Sequence, residues 1–177
     1  DFGLNMGGEA VRRLSREQDS LWLLSQDASA MIASINETSR FDSDGTQLIP
    51  QRYEYQRKVL GKRRHALLTF DWKAQKVTNN VQDRPWKLGI TPGTLDKLNY
   101  QLQLRLDLLN GKRDLQYRVA DGGLIKQYRF EVLGEESLET PLGNLKALKV
   151  KRVREDSDKR LTLIWFATDL DYLIVKL

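Results

Sequence analysis

The chain contains no cysteine. That excludes disulfide staples, thiolate nucleophiles and cysteine-based zinc sites together, and it fits an oxidising or a reducing compartment equally well. Histidine is nearly as scarce, with His65 the single one. It lies in the basic run Lys62-Arg63-Arg64-His65 with no neighbouring carboxylate in the sequence. It therefore reads as a solvated or packed side chain rather than a general base or a metal ligand. A Ser–His–Asp triad would have to use His65, and no G-x-S-x-G elbow singles out a serine for it. Walker A and G-x-G-x-x-G runs are absent, so no loop is marked as a phosphate cradle. No apolar run approaches the roughly 18 residues that span a bilayer as a helix. There is no fixed-period repeat, low-complexity tract or Pro/Ser-rich linker, and residues 1–177 read as a single domain. The first residue is Asp1, with no basic n-region or apolar h-region behind it. A mature exported protein or a trimmed piece of a longer one has that appearance.

What is present describes a folded chain. Of 177 residues, 40% are hydrophobic and 30% charged, enough of the first for a core, and the profile is not that of a disordered chain, which would be poor in aromatic and β-branched residues. The net charge is +5 and the isoelectric point about 9.4. Nucleic-acid-binding domains concentrate such charge on one face; here it is spread. The densest clusters are Arg57-Lys58 with Lys62-Arg63-Arg64, and Lys146, Lys149, Lys151, Arg152 and Arg154. In the second, the charges alternate with Ala147, Leu148, Val150 and Val153. Both read as solvated strand faces, with a functional anion-binding patch as the alternative.

Turn signals recur at short intervals: Asp42-Ser43-Asp44-Gly45, Gly61, Asp121-Gly122-Gly123 and Gly143-Asn144. Between them, apolar residues alternate with period two. Ala66, Leu68, Phe70 and Trp72 share one face; Tyr53, Tyr55, Arg57 and Val59 line up likewise; Leu161, Leu163 and Trp165 oppose Thr162, Ile164 and Phe166. Strands are expected at 9–15, 20–27, 30–41, 47–59, 64–73, 75–81, 113–120, 124–134, 145–155, 160–166 and 172–177. This is an antiparallel meander that curls into a sandwich or barrel, and its long strands favour a curved, coiled sheet.

One segment departs from the pattern. Thr94–Asn110 is rich in Leu, Gln, Lys and Arg, with no β-branched residue after Thr94. Thr91 as N-cap, Pro92 at the first helical position and Gly111 at C′ frame a helix. Leu95, Leu98, Leu102, Leu106 and Leu109 form its main stripe, with Leu104 and Leu108 opposite. A helix apolar on two sides needs cover on both, or cover on one and a cavity on the other. That places it across the mouth of a curled sheet.

No catalytic or metal site emerges, and no cofactor is implied. The carboxylate pairs Asp42/Asp44, Glu135/Glu136 and Asp169/Asp171 read as turn chemistry, and none has calcium-loop spacing. The four tryptophans, Trp22, Trp72, Trp86 and Trp165, read as core and rim packing or as the lining of an apolar pocket. Trp72 shares its face with Leu68 and Phe70. An inward direction follows, rather than the exposed stacking platform of a single-strand nucleic-acid binder.

Several phrases, taken in order, carry a resemblance. They are Phe70-Asp71-Trp72 with Val77-Thr78-Asn79, then Val119-Ala120-Asp121-Gly122-Gly123-Leu124-Ile125-Lys126. Tyr128-Arg129-Phe130-Glu131-Val132-Leu133-Gly134-Glu135-Glu136 comes next, before Glu139-Thr140-Pro141-Leu142-Gly143 and Leu148-Lys149-Val150. Trp165-Phe166-Ala167 and Asp169-Leu170-Asp171-Tyr172-Leu173 close the series. Together they resemble the bacterial family called domain of unknown function 3108, over nearly the whole chain. The resemblance implies export to the periplasm of a Gram-negative cell. It also implies a fold similar to the lipoprotein-localisation factors, an unclosed β-barrel around a helical plug or lid. The chain offers one helix where those factors have several. The family has no assigned activity, so no functional residue carries over.

The expected fold is therefore mainly β: a single antiparallel sheet curled into an unclosed half-barrel, with one main helix as plug or lid. The expected function is non-enzymatic, the binding or carriage of an apolar, lipid-like ligand. Trp22, Leu68, Phe70, Trp72, Leu102, Leu106 and Trp165 are the candidate wall or lid positions. The alternative is a periplasmic structural or interaction domain with a filled core, docking another envelope protein through its strand edges or basic face. Nucleic acid is not an expected partner.

Overall fold

The computed structural model describes residues 8–141, 143–154 and 161–177. The far ends of two expected strands, at 155 and 160, and Leu142 of the family phrase lie outside them. The described chain is mainly strand, with one α-helix. A meander opens it: β1 (Gly8–Gln18), β2 (Leu21–Ala30), β3 (Ala33–Ser43), β4 (Leu48–Val59), β5 (Lys62–Asp71), β6 (Lys76–Val81) and β7 (Arg84–Gly89). These pair in sequence order, each antiparallel to the next. Then come β8 (Thr94–Leu95), helix α1 (Asn99–Leu109), β9 (Leu115–Asp121), β10 (Leu124–Thr140), β11 (Gly143–Val153), β12 (Leu163–Ala167) and β13 (Leu173–Lys176). The second sheet has the order β13-β12-β11-β10-β9-β8. Neither sheet closes on itself. The single sheet expected is thus divided in two, because the meander's nearest-neighbour pairing stops at β7 and the chain leaves through a turn, a two-residue strand and the helix.

By contacts the chain falls into two compact units. The first runs up to Asn99 and includes Ala120–Ile125; the second comprises Tyr100–Val119 and Lys126–Leu177.

In the first unit, directly opposed residues share a face. That face carries Leu24, Phe41, Tyr53, Leu68, Phe70 and Val77, all nearly inaccessible. Strand β7 lies outside the strands expected from the sequence, and Pro85 is a residue type that disfavours a strand interior. It is tolerated here since β7 is the sheet edge, opposite Asn80. The β9–β10 turn belongs to this unit, with Gly122 and Gly123 both at positive φ. A Cβ on Gly123 would stand 2.4 Å from Trp86 Cζ2, so the indole of β7 and the turn meet only because this residue is glycine.

The helix starts later than its sequence suggested. Thr91-Pro92-Gly93-Thr94 is a turn closed by Thr94 N–H to Thr91 O, with Gly93 at φ +81°. Proline followed by glycine suits a type II turn. The true cap is Asp96: its Oδ1 accepts the N–H groups of Leu98 and Asn99, and Asn99 Oδ1 accepts the N–H of Asp96. That is a reciprocal capping box. The far end follows expectation: Gly111 N–H reaches Leu108 O and Lys112 N–H reaches Asp107 O, a Schellman closure with Gly111 left-handed.

In the second unit the buried stripe of α1 is Tyr100, Gln103, Leu104, Asp107 and Leu108. The expected stripe is corrected accordingly: Leu102 and Leu106 are half-buried and Leu109 exposed. The polar pair is buried because it is satisfied. Asp107 accepts from Gln103 Nε2, Lys112 Nζ and Tyr117 OH, at 3.0, 3.1 and 2.8 Å. Tyr100 stands edge-on to Tyr128 and stacks on Phe130, which seats the stripe against β10.

Candidate functional site

The strongest candidate is one end of the apolar face of the first sheet. Trp22 of β2 lies directly opposite Phe41 of β3, and Phe41 opposite Pro50 of β4. Trp72, just past β5, donates its indole N–H to Pro50 O at 2.7 Å and stacks on Phe70 at 5.8 Å. Phe41 and Phe70 are buried, whereas Trp22 and Trp72 are half-exposed. The tryptophans thus form the accessible rim of a floor that is already covered. Arg16 lies over the Trp22 ring, 5.9 Å from its centre. Further along the same face, Leu68 pairs with Asn79 and Asn79 with Trp86. Asn79 is 3% exposed, and its Oδ1 has no hydrogen-bond donor among the described residues.

Away from the aromatic end the face turns polar. Tyr53 OH donates to Glu37 Oε1 at 2.5 Å, Gln26 Nε2 donates to Glu37 at 3.5 Å, and Arg12 Nε donates to Gln26 at 3.1 Å. This track crosses four adjacent strands. Burial, reinforced by Glu37, pushes the Tyr53 hydroxyl well above its usual range, so it stays a donor. Beside it, Ser39 Oγ donates to Asp96 Oδ2, and both side chains are fully shielded. Burial pushes Asp96 up to about 6 against the hydrogen bonds of Ser39, Asn99 and Leu98, with Glu37 adding to the rise.

Four of the seven candidate residues, Trp22, Leu68, Phe70 and Trp72, fall on this one face of the first unit. The other three lie in the second. Leu102 and Leu106 sit beside the helix's buried stripe. Trp165 is on the face of β12 opposite to Ile164 and Phe166, between the Lys149 and Lys176 ammonium groups at 5.2 and 4.5 Å from its ring centre. Its N–H donates to Glu136, which that bond and Lys149 hold below the usual carboxylate range. Sequence reasoning passed over Phe41, Pro50, Asn79 and the Arg12–Gln26–Glu37–Tyr53 track. Phe41 and Pro50 could have been found by carrying the face of Trp22 across the turns. The track could not, because its members are polar residues scattered over four strands.

His65 Nε2 lies 3.1 Å from Glu54 Oε1, a cross-strand pair on the opposite face of the sheet that pairing alone brings together. Asp44 does the turn work expected of it, its carboxylate accepting the N–H groups of Thr46 and Gln47. Among the described residues no group of three or more His, Cys, Asp or Glu is placed to hold a metal ion, and no helix is long and apolar enough to cross a membrane.

Among the described residues, open antiparallel sheets, one α-helix and an apolar aromatic face define a mainly β protein of the barrel-like kind. A solved structure of that kind is similar: the beta-barrel-like protein of domain of unknown function DUF1849 from Brucella abortus, with a TM-score of 0.54. The two are 11% identical, and the match covers 94% of this chain and 79% of that one, so the likeness is one of fold. The model of the family described as protein of unknown function (DUF3108) matches residues 3–177, and the chain belongs to that family. No curated protein matches it.

Proposed function

We propose that the protein is a non-enzymatic binding or carrier module for an apolar, lipid-like ligand, working in the periplasm. The observation that carries this is the half-exposed Trp22–Trp72 rim over the Phe41–Phe70 floor on a sheet that does not close. An acyl chain laid there would cover both indoles, which offer large apolar area with few rotors to freeze. The unpaired Asn79 Oδ1 adds a polar anchor further along the face, because a ligand hydroxyl or amide N–H would relieve a buried acceptor. The periplasmic setting rests on the family resemblance.

A second reading has its own support. Leu68 and Phe70 are only 4% and 5% exposed, as in a domain whose core is filled and which works through its surface.

Native mass spectrometry of protein purified gently from its host's envelope, with lipid extraction of the same sample, separates the two. A stoichiometric lipid is the expected result. An apo mass together with a specific co-purifying protein would overturn the carrier reading in favour of the interaction domain.

A further inference from the structure

At the end of the first sheet opposite to the aromatic floor, two hairpin tips stand side by side. Met31-Ile32 joins β2 to β3 between the paired Ala30 and Ala33, and Leu60-Gly61 joins β4 to β5 between Val59 and Lys62. Leu60 N–H donates to Ile32 O at 3.0 Å, tying the tips together. The apolar side chains there face solvent: Met31 is 91% exposed, Leu60 71% and Ile32 46%.

The fold does not ask for these residues. Two-residue hairpin loops favour Asn, Asp and Gly. Leu60 sits at φ +48°, a left-handed conformation that a leucine side chain disfavours and asparagine tolerates. Large apolar residues exposed at such positions call for a reason outside the fold.

The surroundings say what that reason is. Behind the tips, Arg57 lies directly opposite Arg64, and Lys58 directly opposite Arg63, so both faces of the β4–β5 hairpin carry like-charge pairs. Opposed like charges destabilise a hairpin in water. With Lys62 these make five exposed cations, none of which forms an ion pair among the described residues. The hairpin also overhangs its neighbour. Strand pairing with β6 ends at Ala66–Val81; beyond it Gln82 alone follows, its N–H closing on His65 O and its Nε2 on Arg63 O, so the side chains of Lys62–Arg64 have no strand beside them there. A shallow hollow of about 460 Å³ beside the tips is lined by Arg57, Lys58, Arg63 and Arg64, with the single carboxylate Glu54 held by His65, and offers room for a phosphate-bearing headgroup.

We propose that this end of the sheet is a membrane-docking surface: Met31, Ile32 and Leu60 enter the headgroup–acyl boundary of an anionic phospholipid bilayer, and the cationic collar binds its phosphates. An apolar tip within a basic collar has the two components that interfacial binding sums, buried apolar area and attraction to anionic lipid. A soluble anion would satisfy the collar and leave the tips in water; a neutral surface would do the reverse. The inference stands on the tips and their collar and does not require the ligand site.

The test is co-sedimentation of the full chain with vesicles of phosphatidylcholine, with and without phosphatidylglycerol. The expected result is binding to the anionic vesicles, weakened by salt and slight on neutral ones. Met31→Ser with Leu60→Asn should lower the partition coefficient at least ~10-fold, and Lys58→Gln with Arg63→Gln by a similar factor. Leu60→Asn suits a left-handed turn and Lys58→Gln/Arg63→Gln relieves a like-charge pair, so both variants should melt no lower than the parent. Loss of binding is then not loss of fold. Full binding by the tip variant, equal binding to neutral vesicles, or a dimer in ultracentrifugation that the tip substitutions abolish would each overturn the proposal.

Discussion

Ser39 Oγ and Asp96 Oδ2 are 2.6 Å apart, with neither side chain reached by solvent. Ser39 belongs to β3, and Asp96 opens the turn into α1. Within the first unit, one carboxylate therefore accepts the Leu98 and Asn99 N–H groups with one oxygen and the Ser39 hydroxyl with the other.

That carboxylate should make stability depend on pH. Its native pKa, about 6, lies above the ordinary 3.8 because burial disfavours the charge. Between these values the native state holds more protons than the unfolded state, so stability falls as pH rises through the window. The contribution is complete below 3.8 and lost above about 6. Asp96→Asn keeps the oxygen that caps Leu98 and Asn99, and its amide can donate to Ser39 Oγ. Urea unfolding of parent and variant at pH 4 and pH 7 should show the variant gaining on the parent at the higher pH, by on the order of 2–3 kcal/mol. A difference independent of pH would mean that the carboxyl does not titrate in this range.

Asp107 should be the polar keystone of the second unit. Three donors converge on it, and burial with its hydrogen bond raises the Tyr117 hydroxyl above its usual range. Asp107→Ala leaves the buried Tyr117 hydroxyl without its acceptor and empties a buried polar site, and should cost about 2–4 kcal/mol. Tyr117→Phe removes one donor and leaves the carboxylate satisfied by the others, for about 1 kcal/mol. Leu104→Ala should cost ~2–5 kcal/mol as a core truncation, and Leu102→Ala clearly less. Equal losses at Leu102 and Leu104 would contradict the buried stripe.

Much of the meander was legible because its strands alternate and two of its hairpins carry marked turns, Asp42–Gly45 and Gly61, whereas Met31-Ile32 carries no turn residue and falls inside the strand expected at 30–41. The family phrases in the sequence carried the same reading. What escaped has a common physical cause, namely polar or restricted residues in places their type disfavours. Gln103 and Asp107 hid the buried face of α1 behind a more regular row of leucines, since a hydrophobic stripe cannot register a satisfied carboxylate. Pro85 sits in an edge strand. Pro92 suits a helix start by type, although Gly93 after it selects a turn. The gathering of Trp22, Phe41, Pro50 and Trp72 depends on register across three strands, which no single segment contains.

Gly123 should be irreplaceable in the first unit. It is left-handed at φ +81°, and an added Cβ would collide with the Trp86 ring. Gly123→Ala should destabilise by about 1–3 kcal/mol and alter the near-ultraviolet dichroism of that indole. Trp86→Ala in the same background would open the space and should recover part of the loss, leaving only the backbone strain. An absence of coupling in this double-mutant cycle would place the cost in the turn alone.

The aromatic floor makes a prediction in which the four tryptophans separate. Trp22 and Trp72 rim the proposed seat, whereas Trp86 packs on Gly123 and Trp165 lies between two lysines. Bromine on an acyl chain quenches only nearby indoles. A monomeric brominated fatty acid should therefore quench a Trp86→Phe/Trp165→Phe protein strongly and a Trp22→Phe/Trp72→Phe protein weakly. Trp22→Ala should weaken binding of the same probe about tenfold, since one indole face is worth on the order of 1.5 kcal/mol of apolar contact. Quenching that is equal in the two paired variants would remove the ligand from this floor. The buried Leu68 and Phe70 would then be ordinary core, and the function would have to lie on the surface of the sheet.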